Sequence, residues 1–181
     1  MGITAALGLF ASIIFHEFAH SLVARRFGLP MRGITLFVFG GIAEMEEEPV
    51  NPGVEVAMAI AGPLASILIG ALFLLTAGAA EWGVFAQGIL MYLGTINWVL
   101  AVFNLLPAFP LDGGRVLRGA LWAWRKDLRW ATKIAASVAT GFTWILIGLG
   151  VLYVFAGAIV AGMWWILIAL FLQSAANSAY Q

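Results

Sequence analysis

Five apolar stretches, at about 2–24, 54–80, 86–106, 134–156 and 158–178, are each close to or above the roughly 20 residues that an α-helix needs to cross a bilayer. Inside hydrocarbon a backbone must satisfy its own N–H and C=O groups, so such stretches fold as helices. Only 10% of the 181 residues are charged and 63% are hydrophobic, against about 25% charged in an ordinary soluble domain. The expected fold is an all-α membrane protein: a polytopic helical bundle of about five transmembrane helices. Its length argues for one domain over 1–181 rather than several. Residues 1–125 form its core part and 134–178 a C-terminal helical hairpin around Ala156-Gly157-Ala158. No cysteine is present, which excludes disulfides and thiolate-ligated metals. The N-terminus lacks the basic n-region of a cleavable signal peptide. Basic residues are few and sit at helix ends, which argues against nucleic acid as a partner.

All nine Lys and Arg residues lie in two stretches. Arg25, Arg26 and Arg32 follow the first apolar run; Arg115, Arg118, Arg125, Lys126, Arg129 and Lys133 follow the third. An up-down path puts both on one side, and the loop from Glu81 to Gln87 on the other carries none. By the positive-inside rule the basic side is cytoplasmic, the N-terminus outside and the C-terminus cytoplasmic in a multi-pass cell-membrane protein. Trp122, Trp124 and Trp130 interleave with these basic residues as an interfacial belt, and Trp82 suits the outer interface.

The first apolar run contains His16-Glu17-Phe18-Ala19-His20, with the chain's only two histidines. Residues i and i+4 share a helix face, so both imidazoles can reach one metal ion, and Glu17 stands where a general base for water activation belongs. Ionisable side chains are costly in hydrocarbon and mark function there. The structural alternative is a pair of buried histidines bonding neighbouring helices. From the spacing to Arg25, the motif lies roughly 8–14 Å inside the cytoplasmic boundary.

A catalytic zinc usually has three protein ligands and one open position. The third apolar run ends in Asn104-Leu105-Leu106-Pro107-Ala108-Phe109-Pro110-Leu111-Asp112-Gly113-Gly114-Arg115, where two prolines stop the helix and Gly113-Gly114 permits a sharp turn. Topology returns Asp112 to the same side as His16 and His20, making it the candidate third ligand. Asp112 also suits a helix N-cap. Asp127, among Arg125, Lys126 and Arg129, is the rival carboxylate and suits interfacial ion pairs better. Asn97 suits interhelical hydrogen bonding; Gly62, Ser66 and Gly70, and Gly141, Gly148 and Gly150, suit close helix packing. Gly28-Leu29-Pro30 ends the first helix. Met31 to Phe39 reads as a strand, Gly40-Gly41 as a turn with positive φ, and Ile42 to Met45 as the return strand of a membrane-associated β-hairpin. Glu46-Glu47-Glu48-Pro49 reads as a solvated loop.

The HEFAH of residues 16–20, the NLLPAFPLDGGR of 104–115, the Gly40-Gly41 hairpin and the AGP of 61–63 together resemble the site-2 protease family of intramembrane metalloproteases, over roughly residues 10–120. That resemblance implies zinc-dependent cleavage of transmembrane protein substrates within the lipid bilayer. It implies one catalytic Zn2+ on His16, His20 and Asp112, with Glu17 as catalytic base. It also implies substrate-positioning roles for Asn104 and for the hairpin at Gly40 and Gly41. Asn104 equally suits a cap at the broken helix end. Many members carry Asn three residues after the AGP proline, where this chain has Ser66. The second and third runs are too close to hold a PDZ domain; a cystathionine-synthase-like region, removed from a longer protein or never present, does not follow the fifth run in this sequence, nor does a helix precede the HEFAH helix in it. Two other classes use the same residues: a membrane metal-binding or transport protein, and a non-catalytic scaffold that binds transmembrane segments. A ligand set of two histidines and one carboxylate also holds iron.

Overall fold

A computed structural model describes the backbone of residues 2–29, 31–37, 40–45 and 49–178, with side chains over 2–29 and 49–174. The acidic residues 46–48 and the hairpin residues 38–39 lie outside the described residues. The chain divides into two compact units, Met1–Leu105 and Leu106–Gln181.

The first unit begins with α1 (Gly2–Arg26), continues through strands β1 (Met31–Phe37) and β2 (Gly40–Met45), and is completed by α2 (Pro52–Ala79) and α3 (Val84–Asn104). Helix α1 stops where Gly28 takes φ 76°. Gly28 N–H donates to the Arg25 carbonyl at 3.0 Å and Leu29 N–H to the Ala24 carbonyl at 3.1 Å. These paired bonds satisfy the last carbonyls, and the left-handed φ is one that glycine adopts without a Cβ clash. Leu29 and Ala24 then bury together with Val54 and Met58 of α2. Strands β1 and β2 pair antiparallel beside α1. Gly40 and Gly41 stand opposite Phe37 and Leu36 within the ladder, which corrects their expected place in the turn. Asn51 starts α2: its side chain accepts from Val54 N–H at 2.9 Å, and Pro52 follows. Cap and proline together satisfy or remove the donors left unpaired at a helix start.

The second unit holds α4 (Asp112–Arg125), α5 (Leu128–Phe155) and α6 (Ile159–Ser178). Lys126, with φ 57°, closes α4. The Asp127 side chain accepts from Trp130 N–H at 3.0 Å and caps α5. The finding for Asp127 is therefore a helix cap in place of the expected interfacial ion pair. The α5–α6 turn repeats the device that ends α1, with Gly157 at φ 85° and Ala158 N–H donating to the Tyr153 carbonyl at 2.9 Å. Gly150 and Gly162 let the two backbones touch: a Cβ at Gly150 would sit 2.8 Å from the Gly162 carbonyl oxygen. Gly141 and Gly148 meet nothing within 4 Å, so the expected packing stripe narrows to Gly150.

Four helices, α1, α2, α3 and α5, are long and apolar enough to cross a membrane. Helix α6 (Ile159–Ser178) is apolar throughout the part whose side chains are described, Ile159–Ser174. Of the expected five or so spans, four are candidates among the described residues. Their packing is inverted relative to a soluble protein. On α1 the buried residues are Ser12, His16, Glu17, His20, Ser21 and Ala24, whereas Ile3, Leu7, Phe10, Phe15, Phe18 and Leu22 are exposed. A polar interior face and an apolar exterior are stable only where the surroundings are hydrocarbon, which identifies a multi-pass membrane protein.

Candidate metal centre

On α1, residues 12, 16 and 20 follow one another at four-residue spacing, which stacks them on one face. That face meets α2. His16 Nδ1 lies 2.9 Å from Ser66 Oγ, and His20 Nδ1 lies 2.7 Å from the Met58 carbonyl oxygen. Met58, Gly62 and Ser66 are themselves four apart, so α2 offers carbonyl, gap and hydroxyl in line. The helices run antiparallel, which pairs the earlier histidine with the later α2 residue.

For His20 the bond partner sets which imidazole nitrogen can ligate. A carbonyl oxygen only accepts, so His20 Nδ1 carries the proton, and in the neutral ring Nε2 holds the lone pair. The rings stand edge to face with centroids 4.9 Å apart. Both Nε2 atoms face Gly62: a Cβ built there would lie 2.6 Å from His16 Nε2 and would clash with His20 Nε2. Both rings are buried, His16 to 3% and His20 to 6% exposure. Glu17 is buried beside them at 9%, and its own carbonyl accepts from Ser21 Oγ at 3.1 Å. Two imidazoles with Nδ1 held by the protein and Nε2 turned into one space left by a glycine fit a divalent transition metal.

Above this pair, Asn97 of α3 donates from Nδ2 to Ser12 Oγ at 2.9 Å and to the Leu93 carbonyl at 2.8 Å. Ser12 Oγ in turn donates to the Gly8 carbonyl at 2.9 Å. Asn97 is fully buried and links α3 to the histidine helix, the interhelical role expected of it. Asn104 is the last residue of α3, and its Nδ2 donates to the Leu100 carbonyl at 2.9 Å.

In the second unit, Asp112 is the first residue of α4 and is buried at 9% exposure. Leu111 holds the cap position, so the carboxylate sits in the first turn rather than capping the helix. The preceding loop turns tightly: Leu111 N–H donates to the Ala108 carbonyl at 2.9 Å and Gly114 N–H to the Leu111 carbonyl at 3.0 Å. The loop backbone closes against α4 so nearly that a Cβ on Gly114 would lie 2.7 Å from Phe109 N. Arg118 adds its guanidinium over the Phe109 ring, 5.7 Å from the centroid, and Phe109 packs on Ala135 and Ala139 of α5.

Sequence reasoning placed the histidines, Glu17 and Asp112 in buried positions but read Gly62 and Ser66 as helix packing. Gly70 serves so against Gly94, Asn97 and Trp98 of α3, and Gly62 against the two imidazoles of α1. The signal for Gly62 and Ser66 was their spacing from Met58, which matches the four-residue spacing of the histidines.

The model of peptidase family M50 matches residues 4–87 and 77–148. A relative from Synechocystis sp. is 41% identical over 180 residues, 99% of this chain and 48% of its own length. A protein of Methanocaldococcus jannaschii named zinc metalloprotease is 38% identical over 144 residues, covering 80% of this chain and 42% of its own. The chain therefore spans about half the length of the curated relatives it matches. The solved site-2 protease from Methanocaldococcus jannaschii aligns with a TM-score of 0.75 at 34% identity, over 95% of this chain and 75% of that one.

Proposed function

Since the chain belongs to peptidase family M50, we propose that it is an intramembrane zinc metalloendopeptidase, acting as one domain on transmembrane segments of membrane-anchored proteins. The observation that carries this reading is the pairing of both histidines with α2, which engages each Nδ1 and turns each Nε2 toward Gly62 inside an apolar helix pair. His16, His20 and Asp112, each buried and each able to offer one ligand atom, would hold the ion. Two imidazoles and a carboxylate are a donor set zinc accepts with a position left open for water. When bound, zinc supplies a Lewis acid that polarises the scissile carbonyl and acidifies a water molecule toward a pKa of about 7.

The chain's own residues do the rest. Glu17 would take the proton from the attacking water and deliver it to the leaving amine nitrogen. The membrane position of the site confines the substrate to chain segments that enter the bilayer. A transmembrane helix keeps its carbonyls in i to i−4 bonds, so the substrate must unwind locally before attack. The β1–β2 hairpin at the membrane boundary, including Gly40 and Gly41, would receive the unwound segment by strand addition, a reading supported by the antiparallel ladder beside α1. Asn104 would position the substrate at the end of α3. The two basic stretches support a site nearer the cytoplasm, with the N-terminus outside and α6 returning the C-terminus to the cytoplasmic side.

The test is cleavage of a single-span model substrate in liposomes by the purified chain and by Glu17→Gln. The expected result is equal zinc content, with cleavage lower by roughly 10²–10⁴-fold in the variant. Equal cleavage by both proteins would refute the role given to Glu17. Metal flux that survives Glu17→Gln, without cleavage by either protein, would identify a transporter instead.

A further inference from the structure

We infer that Ser66 is a positioning residue whose hydroxyl accepts a hydrogen bond from His16 Nδ1–H and thereby fixes Nε2 for metal ligation. The inference rests on the zinc-protease reading above and adds a residue to it. The bond is 2.9 Å long, both partners are buried, and the hydroxyl is fully shielded from solvent. A buried hydroxyl in an apolar helix pair is costly when left unpaired, and here its partner on the neighbouring helix is a histidine.

The two histidines differ in how their tautomers are set. His20 has no choice, because the Met58 carbonyl can only accept. A hydroxyl can donate or accept, so the Ser66 contact alone permits either tautomer of His16. Binding of a metal at Nε2 requires the lone pair there, which puts the proton on Nδ1 and makes Ser66 Oγ the acceptor. The adaptable partner thus sits on His16 and the fixed one on His20. Between them Gly62 keeps both Nε2 atoms clear of side-chain carbon. Residues 58, 62 and 66 of α2 act together as the wall that aims the imidazoles. Without the hydroxyl, His16 can rotate about its side-chain bonds or hold its proton on Nε2, and both weaken ligation.

The experiment measures zinc affinity by chelator competition in detergent for the whole chain, Ser66→Ala and Ser66→Thr, with the visible absorption spectrum of each cobalt-substituted protein. Alanine keeps the volume of the site nearly unchanged, so a packing role alone would leave affinity unaltered. The expected result is a roughly 10–100-fold loss of zinc affinity in Ser66→Ala, typical of removing a hydrogen-bond partner from a metal-ligating histidine. An altered cobalt spectrum is expected in Ser66→Ala, and recovery of most of the affinity in Ser66→Thr. Affinity in Ser66→Ala equal to that of the unmodified chain overturns the inference, as does a threonine variant as weak as the alanine one. Failure of the unmodified chain to bind zinc would be a different result, because it refutes the protease reading itself.

Discussion

At position 62 a single added carbon meets both imidazoles, 2.6 Å from His16 Nε2 and closer still to His20 Nε2. Neither ring can retreat without breaking its Nδ1 bond to Ser66 or to the Met58 carbonyl. Gly62→Ala is therefore expected to lower zinc affinity by tenfold or more, since overpacking a tight site costs about 1–3 kcal/mol and 1.4 kcal/mol is a factor of ten. Chelator competition reads the loss directly, and unchanged affinity would show that the glycine serves backbone packing alone. Asp112 is argued from its chemistry: a carboxylate buried in the first turn of α4. Asp112→Ala should abolish stoichiometric zinc, measured by elemental analysis of the purified chain, and unchanged zinc would remove Asp112 from the ligand set. Asp127→Ala removes only the cap on Trp130 N–H. It should leave zinc in place while costing about 1 kcal/mol of helix stability.

The helices differ in how openly the sequence declares them. Helices α1, α2, α3 and α5 announce themselves as long apolar runs, because the bilayer demands that pattern over their whole length. Helix α4 has no such run: Asp112-Gly113-Gly114-Arg115 opens it with two glycines, and arginines recur among its leucines and tryptophans. Its helical period becomes visible only once the tight loop before it is known. The HEFAH half of the site was legible because two histidines four apart can share only one face. Its α2 wall was not, because glycine and serine in a membrane helix signal close packing as readily as chemistry. The turn expected at Gly40 and Gly41 failed for a similar reason, since glycine is tolerated within a ladder as well as in a turn; here both stand opposite β1. The hairpin supplies the prediction at this scale. Leu36→Pro places a residue without an N–H in β1, opposite Gly41, where it cannot donate to a ladder. If substrate is held by strand addition, cleavage should fall at least tenfold while zinc content stays the same. Full cleavage by proline variants at Ile34, Thr35 and Leu36 alike would eliminate strand pairing as the means of capture.

For the whole molecule, the decisive quantity is the sign and side of its charge rather than the sum, which is zero. Every Lys and Arg lies in the stretches 25–32 and 115–133, and the α2–α3 connection has only Glu81. Each basic residue on the wrong side of a cell membrane works against insertion, so the proposed orientation has the connection carrying Glu81 outside and the α4–α5 connection carrying Lys126 in the cytoplasm. The same proposed orientation would put His16 and His20 nearer the cytoplasm, within about 14 Å of the boundary marked by Arg25. The absence of cysteine makes the chain its own background for labelling. Glu81→Cys and Lys126→Cys are predicted to react from opposite faces with a membrane-impermeant maleimide. In intact cells Glu81→Cys should label within minutes and Lys126→Cys only after permeabilisation. Both positions lie outside the apolar cores of the helices, Glu81 between α2 and α3 and Lys126 as the left-handed cap of α4, so neither change disturbs the site. Labelling of Lys126→Cys in intact cells with Glu81→Cys protected would invert the protein and move its cleavage site toward the outer face. Equal labelling of both would place α3 short of a full crossing, in conflict with its 21 apolar-rich residues.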